Sequence, residues 1–556
     1  MDRLFTYTEV KELLRQQRKI CADRAVIDYA ERDKLMLLTM APEPNNWEEK
    51  AKPMKLRIEP EILRILQELN DKGHQCLVIG GAVRDAILGL EPKDIDIEVY
   101  KISYEDLMRF LSCHGIVDLV GKKFGVIVFR PSSNSEMKYD FSIPRKESKI
   151  GTGHKGFEMT FDIDMTIKEA AERRDFTFNA LAYDPITSQL YDYYGGVEDL
   201  KNKVIRHTSD KFSEDFLRIL RGMQFQARFG FEIHPDTIAL MKEMLKQPEP
   251  CTNDFAFGLD NEFDQLSKER VFEEWMKWAE KGVHHHLIFK FMRETGLIEY
   301  YPMLEALKET PQDKIYHPEG DVEIHTELCL AHLDKLIEET INRPRHTPSI
   351  AECIPKIYGK EKVVLVLSTL LHDVAKPQTT KEEMKKDRMT ITSNGHESMG
   401  GDIANDFLTS IGFHEELITP ICNIIANHLA GVNISVITSP AGQVKAVKKL
   451  SRRLHPATIT QLLCVMESDS NGRGKSGFQS VTGGPEIYQI AKNHLDVIDK
   501  QYEYVLMGRH LIEAGLKPSP EFKIILDNAN EAQVNGEFSD VDGAKKWLEE
   551  YLKYII

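Results

Sequence analysis

The chain has 556 residues, of which 42% are hydrophobic and 29% charged, a composition typical of a multidomain globular protein. No stretch approaches the roughly 18 uncharged apolar residues that a membrane-spanning helix needs, and the first residues have no signal-peptide layout. Eight scattered cysteines without a Cys-x-x-Cys pair indicate reduced thiols in a cytoplasmic protein. The formal net charge of −16 argues against nonspecific coating of nucleic acid but allows a local basic surface.

Hydrophobic spacing divides the chain into an N-terminal extension, a mixed region and a long helical region. Residues 1–55 show two helical stretches and then a Pro/Asn linker, and they carry no recognisable chemistry. Residues 56–205 alternate strands and helices, and from residue 206 onward the apolar spacing is helical almost throughout. This pattern predicts an α/β domain followed by helical domains.

The most informative motif spans residues 78–98. An apolar strand leads into Gly80 and Gly81, then into a short helix from about Ala82 to Leu88, and then into a second strand that carries Asp94 and Asp96. Side chains two apart on a strand point the same way, so this spacing predicts paired carboxylates, a donor set that suits Mg²⁺. The glycines let backbone N–H groups approach an anion at a helix N-terminus. Together these features favour metal-assisted transfer of a nucleotidyl group.

The string Gly-Gly-x-Val-Arg-Asp followed by Lys-Asp-x-Asp resembles the class II tRNA nucleotidyltransferase and poly(A) polymerase family, a branch of the polymerase-beta-like nucleotidyltransferases. The resemblance runs from about residue 60 to the C-terminus. It implies an α/β nucleotidyltransferase head followed by an all-helical neck and body. It also implies that Gly80, Gly81 and Arg84 contact the nucleotide.

Two further blocks belong to the predicted polymerase site. Asp140 precedes Arg145 by the five residues at which the family places an acid, which makes it a candidate third carboxylate. Adjacent arginines, Arg173 and Arg174, suit triphosphate oxygens because the guanidinium fork is bidentate and permanently charged. The resemblance implies that this block opens a helix beside the nucleotide, on which Asp175 and Asn179 share a face and read the ribose.

A third block, around Asp215, Arg218 and Arg221, is predicted to select the base. On a helix, Asp215 and Arg218 would project together, offering an acceptor-only and a donor-only group. Such a pair can bond cytosine and adenine and mismatches uracil and guanine. The alternative is an ordinary surface ion pair, worth a few tenths of a kcal/mol. The segment Ser267–Arg270 is interpreted as structural support for the neck.

The helical region also contains the order His…His-Asp…His…His…Asp, which resembles the HD superfamily of metal-dependent phosphohydrolases. Imidazole and carboxylate ligands favour Mn²⁺, Ni²⁺, Co²⁺ or Fe²⁺ over Mg²⁺. The string from His317 to Asp321 is typical of bacterial tRNA nucleotidyltransferases that carry this domain, whereas the run His284–His286 is interpreted as structural. The six candidate metal ligands are His325, His372, Asp373, His396, His428 and Asp469.

We therefore predict a helical extension of unknown role (1–55), a nucleotidyltransferase head (56–205), a helical neck and body with the base-selecting motif (206–310), an HD phosphohydrolase domain (311–480) and a helical C-terminal segment (481–556). The basic stretch 441–456, with Lys448, Lys449, Arg452 and Arg453, is a candidate surface for RNA phosphates.

The expected function is template-independent addition of CCA to tRNA 3′ ends from CTP and ATP with Mg²⁺, together with a metal-dependent phosphohydrolase. A poly(A) polymerase, or an A-only or CC-only enzyme, shares every one of these motifs, and the loop after Arg145 is where such enzymes would differ. A more distant alternative is an HD phosphohydrolase with a vestigial RNA-binding head. The intact acidic and arginine motifs argue against that alternative, and the oligomeric state stays open.

Overall fold

The computed structural model describes residues 4–5, 56–92, 94–121, 125–132, 138–149, 157–246, 263, 265–342, 356–385, 388–473 and 483–555. The chain divides into two compact units, Met1–Glu299 and Tyr300–Ile556. Most of the predicted helical extension lies outside the described residues, and its described part, Leu4–Phe5, is a strand. The loop after Arg145 that could distinguish related activities continues into residues 150–156, which also lie outside them.

The first unit is built on a mixed β-sheet. Its strands, in chain order, are β1 Leu4–Phe5, β2 Cys76–Ile79, β3 Asp96–Val99, β4 Gly115–Gly121, β5 Val126–Pro131, β6 Tyr139–Ser142, β7 Arg145–Lys149, β8 Phe157–Phe161, β9 Ala182–Asp184 and β10 Gln189–Tyr191. Among the described residues, eight of these form one sheet in the order β1-β10-β9-β2-β3-β6-β5-β4, and β7 pairs with β8 separately. The pairing of β3 with β6 is parallel and sets Asp96 beside Asp140.

Helices surround and follow this sheet in the first unit. They are α1 Pro60–Asp71, α2 Gly81–Ile87, α3 Tyr104–Ser112, α4 Ile167–Glu172, α5 Gly196–Asn202, α6 Leu217–Phe229, α7 Pro235–Leu245, α8 Lys268–Lys281 and α9 Ile288–Thr295. Helix α1 shows the rule that forms them: Ile62, Ile65, Leu66 and Leu69 recur at helical spacing and are all buried. A short parallel pair joins the last residues of the predicted head to the predicted helical neck, β11 Val204–Ile205 with β12 Glu232–Ile233.

The second unit is helical apart from one hairpin in its described part, β13 Lys381–Lys385 with β14 Arg388–Thr392. The predicted α/β head followed by helical domains is thus confirmed, and the hairpin is a departure from it. No helix in the described ranges is long and apolar enough to cross a membrane. The helices of this unit are α10 Pro302–Glu305, α11 Val322–Asn342, α12 Gly359–Leu371, α13 Lys376–Thr379, α14 His396–Ser410, α15 Glu415–Ile425, α16 Ala430–Ser435, α17 Pro440–Leu454, α18 Ile459–Asn471, α19 Gly484–Gln489, α20 Gly508–Glu513, α21 Glu521–Asn535 and α22 Val541–Ile555.

The Gly-Gly turn forms because only glycine fits its first position comfortably. Gly80 has φ 67° and ψ −126°, a conformation that residues with a Cβ rarely adopt. Its backbone N–H donates to the carbonyl of Leu181 at 3.0 Å, which ties the turn to the segment before β9. Helix α2 starts directly after this turn, as predicted from the motif.

A chain of buried hydrogen bonds links α2 to two other sequence blocks. Arg84 Nη1 donates to Asn179 Oδ1 at 2.6 Å, and Asn179 Nδ2 donates to Asp175 Oδ1 at 2.9 Å. Arg221 Nε on α6 donates to the other oxygen of Asp175 at 2.6 Å. Arg84 also donates through Nε to Asp85 Oδ1 at 2.8 Å. We call these five residues the buried charge network.

Aromatic rings enclose the guanidinium of this network. Arg84 lies 5.2 Å from the ring centroids of both Phe225 and Phe229, which are stacked on one another. Burial lowers the pKa of Arg84, and the adjacent carboxylate of Asp85 opposes that shift. A cation held between rings and carboxylates is stabilised only while its partners remain in place.

We expect Arg84→Ala to lower the free energy of unfolding by about 3 kcal/mol, because it leaves the buried polar groups of Asp85 and Asn179 without one of their partners. Urea unfolding of the whole chain measures this change. The matched control is Arg57→Ala, which removes an exposed arginine lying 3.9 Å from Glu91. The control should change the unfolding free energy by less than about 0.5 kcal/mol. Equal changes in the two variants would contradict a structural role for Arg84.

Candidate functional site

A cleft of about 770 Å³ in the first unit brings carboxylates of the sheet together with arginines of the helices. Asp96 and Asp140, register partners on β3 and β6, line it. Asp94 is exposed and lies just before β3 rather than within it, which corrects the predicted strand position. Burial raises the pKa of Asp96, Arg174 lowers it, and the carboxylates of Asp140 and Asp94 raise it further. Carboxylates crowded in this way repel one another in their charged form. A divalent cation bound between them removes that repulsion, so they are suited to be its ligands.

Glu98, on the same face of β3 as Asp96, is a further acid of the cleft, and the motif analysis did not single it out. It is buried, and it accepts a hydrogen bond from the hydroxyl of Tyr100 at 2.6 Å. Its other oxygen lies 3.7 Å from Arg174 Nη2. Because Glu98 follows Asp94 and Asp96 at the same two-residue spacing, strand alternation alone could have identified it. Its contacts point to a role in holding Arg174 toward the cleft.

The adjacent arginines lie at the end of α4 and not at the start of a helix, in contrast to the expectation from the resemblance. Arg173 Nη1 donates to the backbone carbonyl of Arg145 at 2.9 Å, and both arginines of the pair line the cleft. Cationic side chains facing clustered carboxylates across one cleft can hold an anionic ligand and a cation at the same time.

Asp215 and Arg218 both line the cleft, but they do not form the helical pair that was predicted. Asp215 lies before α6: its Oδ1 accepts from the N–H of Leu217 at 3.1 Å and its Oδ2 from Arg270 Nη2 at 2.6 Å. Arg218 donates to the backbone carbonyls of Lys211 and Arg173 at 2.5 and 2.7 Å. Arg270, interpreted from sequence as neck support, is therefore a cleft residue that fixes Asp215.

Six other predicted nucleotide ligands are not among the residues that line the cleft, namely Gly80 and Gly81 of the turn and four side chains. Arg84, Asp175, Asn179 and Arg221 belong to the buried charge network, and Asp175 and Asn179 are each 6% exposed. Burial alone would raise the pKa of Asp175, but Arg221 and the hydrogen bond from Asn179 lower it overall. Their hydrogen bonds are made within the protein, so little of the Asp175 or Asn179 side chain is left to contact a ribose.

The second unit contains a cluster of histidines and acids around a cavity of about 240 Å³. His372, His396 and His428 each place Nδ1 next to the backbone carbonyl three residues earlier, at 2.8, 2.5 and 2.7 Å. A carbonyl only accepts, so each Nδ1 is the donor and each Nε2 is the nitrogen left available to a ligand. The Nε2 atoms of His396 and His428 face one another at 3.2 Å, an arrangement that a shared cation relieves.

Acids complete this cluster. Asp373 Oδ1 lies 3.2 Å from His396 Nε2, and Asp373 Oδ2 lies 3.2 Å from His372 Nε2. Asp469 Oδ1 lies 3.1 Å from His325 Nε2. Burial, together with the neighbouring His372 and His396, lowers the pKa of His428 to about 3 and keeps it neutral. The six predicted ligands lie in two adjoining groups, one with His325, His372 and Asp469 and the other with Asp373, His396 and His428. Converging imidazoles and carboxylates of this kind are the donor set of a divalent metal ion.

Charged groups around the cluster were not identified from the sequence. Glu319 Oε1 lies 2.8 Å from Nδ1 of His325. Burial alone would raise the pKa of Glu319, but hydrogen bonds with His317 and His325 outweigh burial and lower this pKa to about 2. Lys376 Nζ contacts Asp373 Oδ2 at 2.7 Å, and Arg473 contacts both oxygens of Asp469. Lys376 and Arg473 line the cavity and give it two cations next to the acids.

The histidine run 284–286 takes no part in this cluster. His285 is buried, and its Nε2 lies 3.0 Å from the carbonyl of Trp278. Among the residues that the structure describes, the groupings suited to a metal ion do not include any member of the run.

The cations of the basic stretch are engaged by the protein itself. Lys445 and Lys449 of α17 contact the two oxygens of Glu531 at 2.6 and 2.7 Å. Lys448 and Arg452 each lie over a tyrosine ring further along the chain. Contact of this surface with RNA phosphates therefore stays a prediction.

Two family models match the chain, and each covers part of one of the two sites. The model of the poly A polymerase head domain matches residues 76–206, and the model of the HD domain matches residues 340–467. Both families are metal-dependent. The HD match excludes His325 and Asp469, although the structure places their side chains in the same cluster as His372.

Curated relatives extend the likeness over most of the chain. A multifunctional CCA protein of Actinobacillus pleuropneumoniae is 30% identical over 410 residues, which are 73% of this chain and 87% of the relative. A protein of the same name from Psychromonas ingrahamii is 29% identical over 409 residues, covering 73% of this chain and 86% of the relative.

Solved structures share the fold. The CCA-adding enzyme of Bacillus stearothermophilus in complex with CTP aligns with a TM-score of 0.55 at 21% identity, covering 89% of this chain and 99% of the enzyme. A CCA-adding enzyme in complex with ATP aligns with a TM-score of 0.53 at 18% identity, covering 90% of this chain and 95% of the enzyme.

Proposed function

We propose, because the chain belongs to the family of multifunctional CCA proteins, that it adds CCA to the 3′ ends of tRNA from CTP and ATP in the cytoplasm. The observation that carries this proposal is the single cleft that joins Asp96 and Asp140 to the arginine pair and to Asp215 and Arg218. Free thiols throughout the described cysteines support a reducing compartment.

The cleft is suited to phosphoryl chemistry at one end. Mg²⁺ held by Asp94, Asp96 and Asp140 would supply charge neutralisation for the triphosphate and the attacking oxygen. Arg173 and Arg174 bind the non-bridging phosphate oxygens and hold the α-phosphorus in line with the RNA 3′ oxygen. The 3′ oxygen forms the new bond to phosphorus, and pyrophosphate leaves.

Base selection takes place at the other end of the cleft. A carboxylate has about four acceptor positions and a guanidinium five donors, so Asp215 and Arg218 keep capacity beyond their protein contacts. Asp215 can accept from the exocyclic amine of cytosine or adenine, and Arg218 can donate to the adjacent ring nitrogen. Uracil and guanine present the opposite pattern and leave these groups unpaired, at about 1–3 kcal/mol each. Arg270 is a positioning residue because it fixes the orientation of Asp215.

The histidine–aspartate cluster supports a second activity, hydrolysis of phosphomonoester or 2′,3′-cyclic phosphate ends. Ni²⁺, Co²⁺, Mn²⁺ or Fe²⁺ held by His325, His372, Asp373 and Asp469, with His396 and His428 completing a second position or binding phosphate, would supply Lewis acidity. Lys376 and Arg473 bind the phosphate oxygens beside them. Since a cyclic phosphate blocks the 3′ hydroxyl that nucleotide addition needs, the two activities together suit repair of damaged tRNA ends.

Asp96→Asn is expected to abolish nucleotide addition without loss of stability, because it removes one of several crowded carboxylates while keeping the side-chain shape. The assay extends tRNAs that end before, within and after the CCA sequence with each labelled nucleoside triphosphate, and product length distinguishes CCA from A-only, CC-only or poly(A) addition. Asp71→Asn, an exposed aspartate on α1, should retain wild-type addition. Substantial extension by Asp96→Asn would refute the assignment.

Asp215→Ala and Arg218→Ala are expected to raise incorporation of UTP and GTP relative to CTP and ATP by on the order of tenfold, since the mismatch penalty disappears. Competition between paired nucleotides on one tRNA measures the ratio. The matched control is Asp210→Ala, an exposed acid of the short 3-10 helix that precedes Asp215. Unchanged selectivity together with lowered stability would show that the pair is only structural.

Combining His372→Ala with Asp373→Ala is expected to remove hydrolysis of cyclic phosphate and p-nitrophenyl phosphate while CTP and ATP addition continues. His332→Ala is the control, because this histidine lies on the same helix as His325 but outside the cluster. Hydrolysis that persists in the double variant would place the activity elsewhere.

A further inference from the structure

A cysteine occupies a ligand position in the histidine–aspartate cluster. Cys329 lies four residues after His325 on α11, so the two side chains share one face of the helix. Its Sγ lies 3.4 Å from His325 Nε2, and the residue is fully buried. The ligand atoms of His325, Cys329, His372 and Asp469 all lie within 4.8 Å of one another, a spacing compatible with one shared ion.

The neighbouring imidazole provides an independent indication that this space is meant for a ligand. His372 is 1% exposed, and its Nε2 makes no hydrogen bond among the described residues but lies 3.2 Å from Asp373 Oδ2. Its Nδ1 already donates to the carbonyl of Thr369, so Nε2 is the nitrogen directed at the cluster. A neutral ring there sets its lone pair against a carboxylate oxygen, a repulsion that a bound cation removes.

The backbone keeps the space around the sulfur open. Gly472, just after α18, stands where any Cβ would meet Cys329 Sγ at 2.5 Å and His325 Cε1 at 3.2 Å. Contacts of 2.5 Å are essentially never tolerated, so a side chain at residue 472 would displace the thiol. Because residue 472 is glycine, the Cys329 side chain can remain directed at the cluster.

We propose that Cys329 is a thiolate ligand of the metal ion in this cluster, and that it biases the site toward Co²⁺, Ni²⁺, Zn²⁺ or Fe²⁺ and against Mn²⁺ and Mg²⁺. The inference rests on the proposed metal centre and specifies its donor set. Thiolate is a soft ligand that prefers these later transition metals, whereas carboxylate and water suit the harder ions. On binding, the thiol releases its proton to solvent and a metal–sulfur bond forms.

The test uses the full chain, stripped of metal by a chelator and titrated with Co²⁺. Wild type should bind Co²⁺ with a sulfur-to-cobalt charge-transfer band in the near ultraviolet. Cys329→Ser should lose the band. Its affinity for Co²⁺ should fall by about 10-fold or more, because removal of a group that merely supports a metal ligand already costs that much. Its affinity for Mn²⁺ should fall less, so the preference for Co²⁺ over Mn²⁺ shrinks.

The matched control is Cys464→Ala, because Cys464 is also fully buried in the second unit but lies outside the cluster. It should keep the band. Stoichiometric Co²⁺ binding without a charge-transfer band in wild type, or a band that survives in Cys329→Ser, would overturn the thiolate assignment alone. Failure of wild type to bind Co²⁺ at all would overturn the metal centre as well.

A second measurement needs no variant and so does not depend on whether Cys329→Ser folds. Cadmium NMR of the wild-type protein loaded with one equivalent of Cd²⁺ should give a resonance shifted downfield into the range of sites that contain a thiolate. A resonance in the range of sites with only nitrogen and oxygen ligands would contradict the proposal.

Discussion

The buried charge network is the interaction on which the nucleotide cleft depends. It joins the helix after the Gly-Gly turn, the block that follows the arginine pair, and the first long helix of the neck through the side chains of Arg84, Asn179, Asp175 and Arg221. Arg84, Asn179 and Asp175 are buried, so removing any one of these three leaves polar groups that the others cannot satisfy, while Arg221 is partly exposed. The network thus fixes the elements that carry the arginines, while Glu98 orients Arg174 and the carbonyls of Lys211 and Arg173 orient Arg218.

In the second unit, the side chains of the site are also held in place by the protein, but by different contacts. Three of its histidines are oriented by backbone carbonyls three residues earlier and His325 by the carboxylate of Glu319, so in each ring Nδ1 is engaged and Nε2 is left for a ligand. Asp373 then faces four imidazoles and Lys376 at once. In both units the chemically active atoms are oriented by groups already committed to the fold, so each site is largely prepared before a ligand arrives.

Local patterns in the sequence predicted the fold and the acidic motif, since strand alternation and a Gly-Gly turn are properties of a few neighbouring residues. The predicted helical pairing of Asp215 with Arg218 was wrong, because the Asp215 carboxylate bonds the N–H of Leu217 and the helix begins only there. Arg270 acts through a tertiary contact with Asp215 that single-sequence spacing does not encode, whereas Arg473 follows Asp469 by four residues, a spacing that the sequence does show. Cys329 carried one local signal, its four-residue spacing from His325, which gained meaning only beside His372.

The closeness of Gly472 to Cys329 has a consequence for reading sequence variation. A side chain at residue 472 collides with the sulfur, and a smaller residue at 329 removes the reason for the glycine. The effect of a substitution at either position thus depends on which residue occupies the other position. The two are far apart in the chain, since residue 329 lies on α11 and residue 472 directly follows α18. Related chains should therefore change these two positions jointly, and a lone change at residue 472 should be tolerated only in chains whose residue 329 has no sulfur.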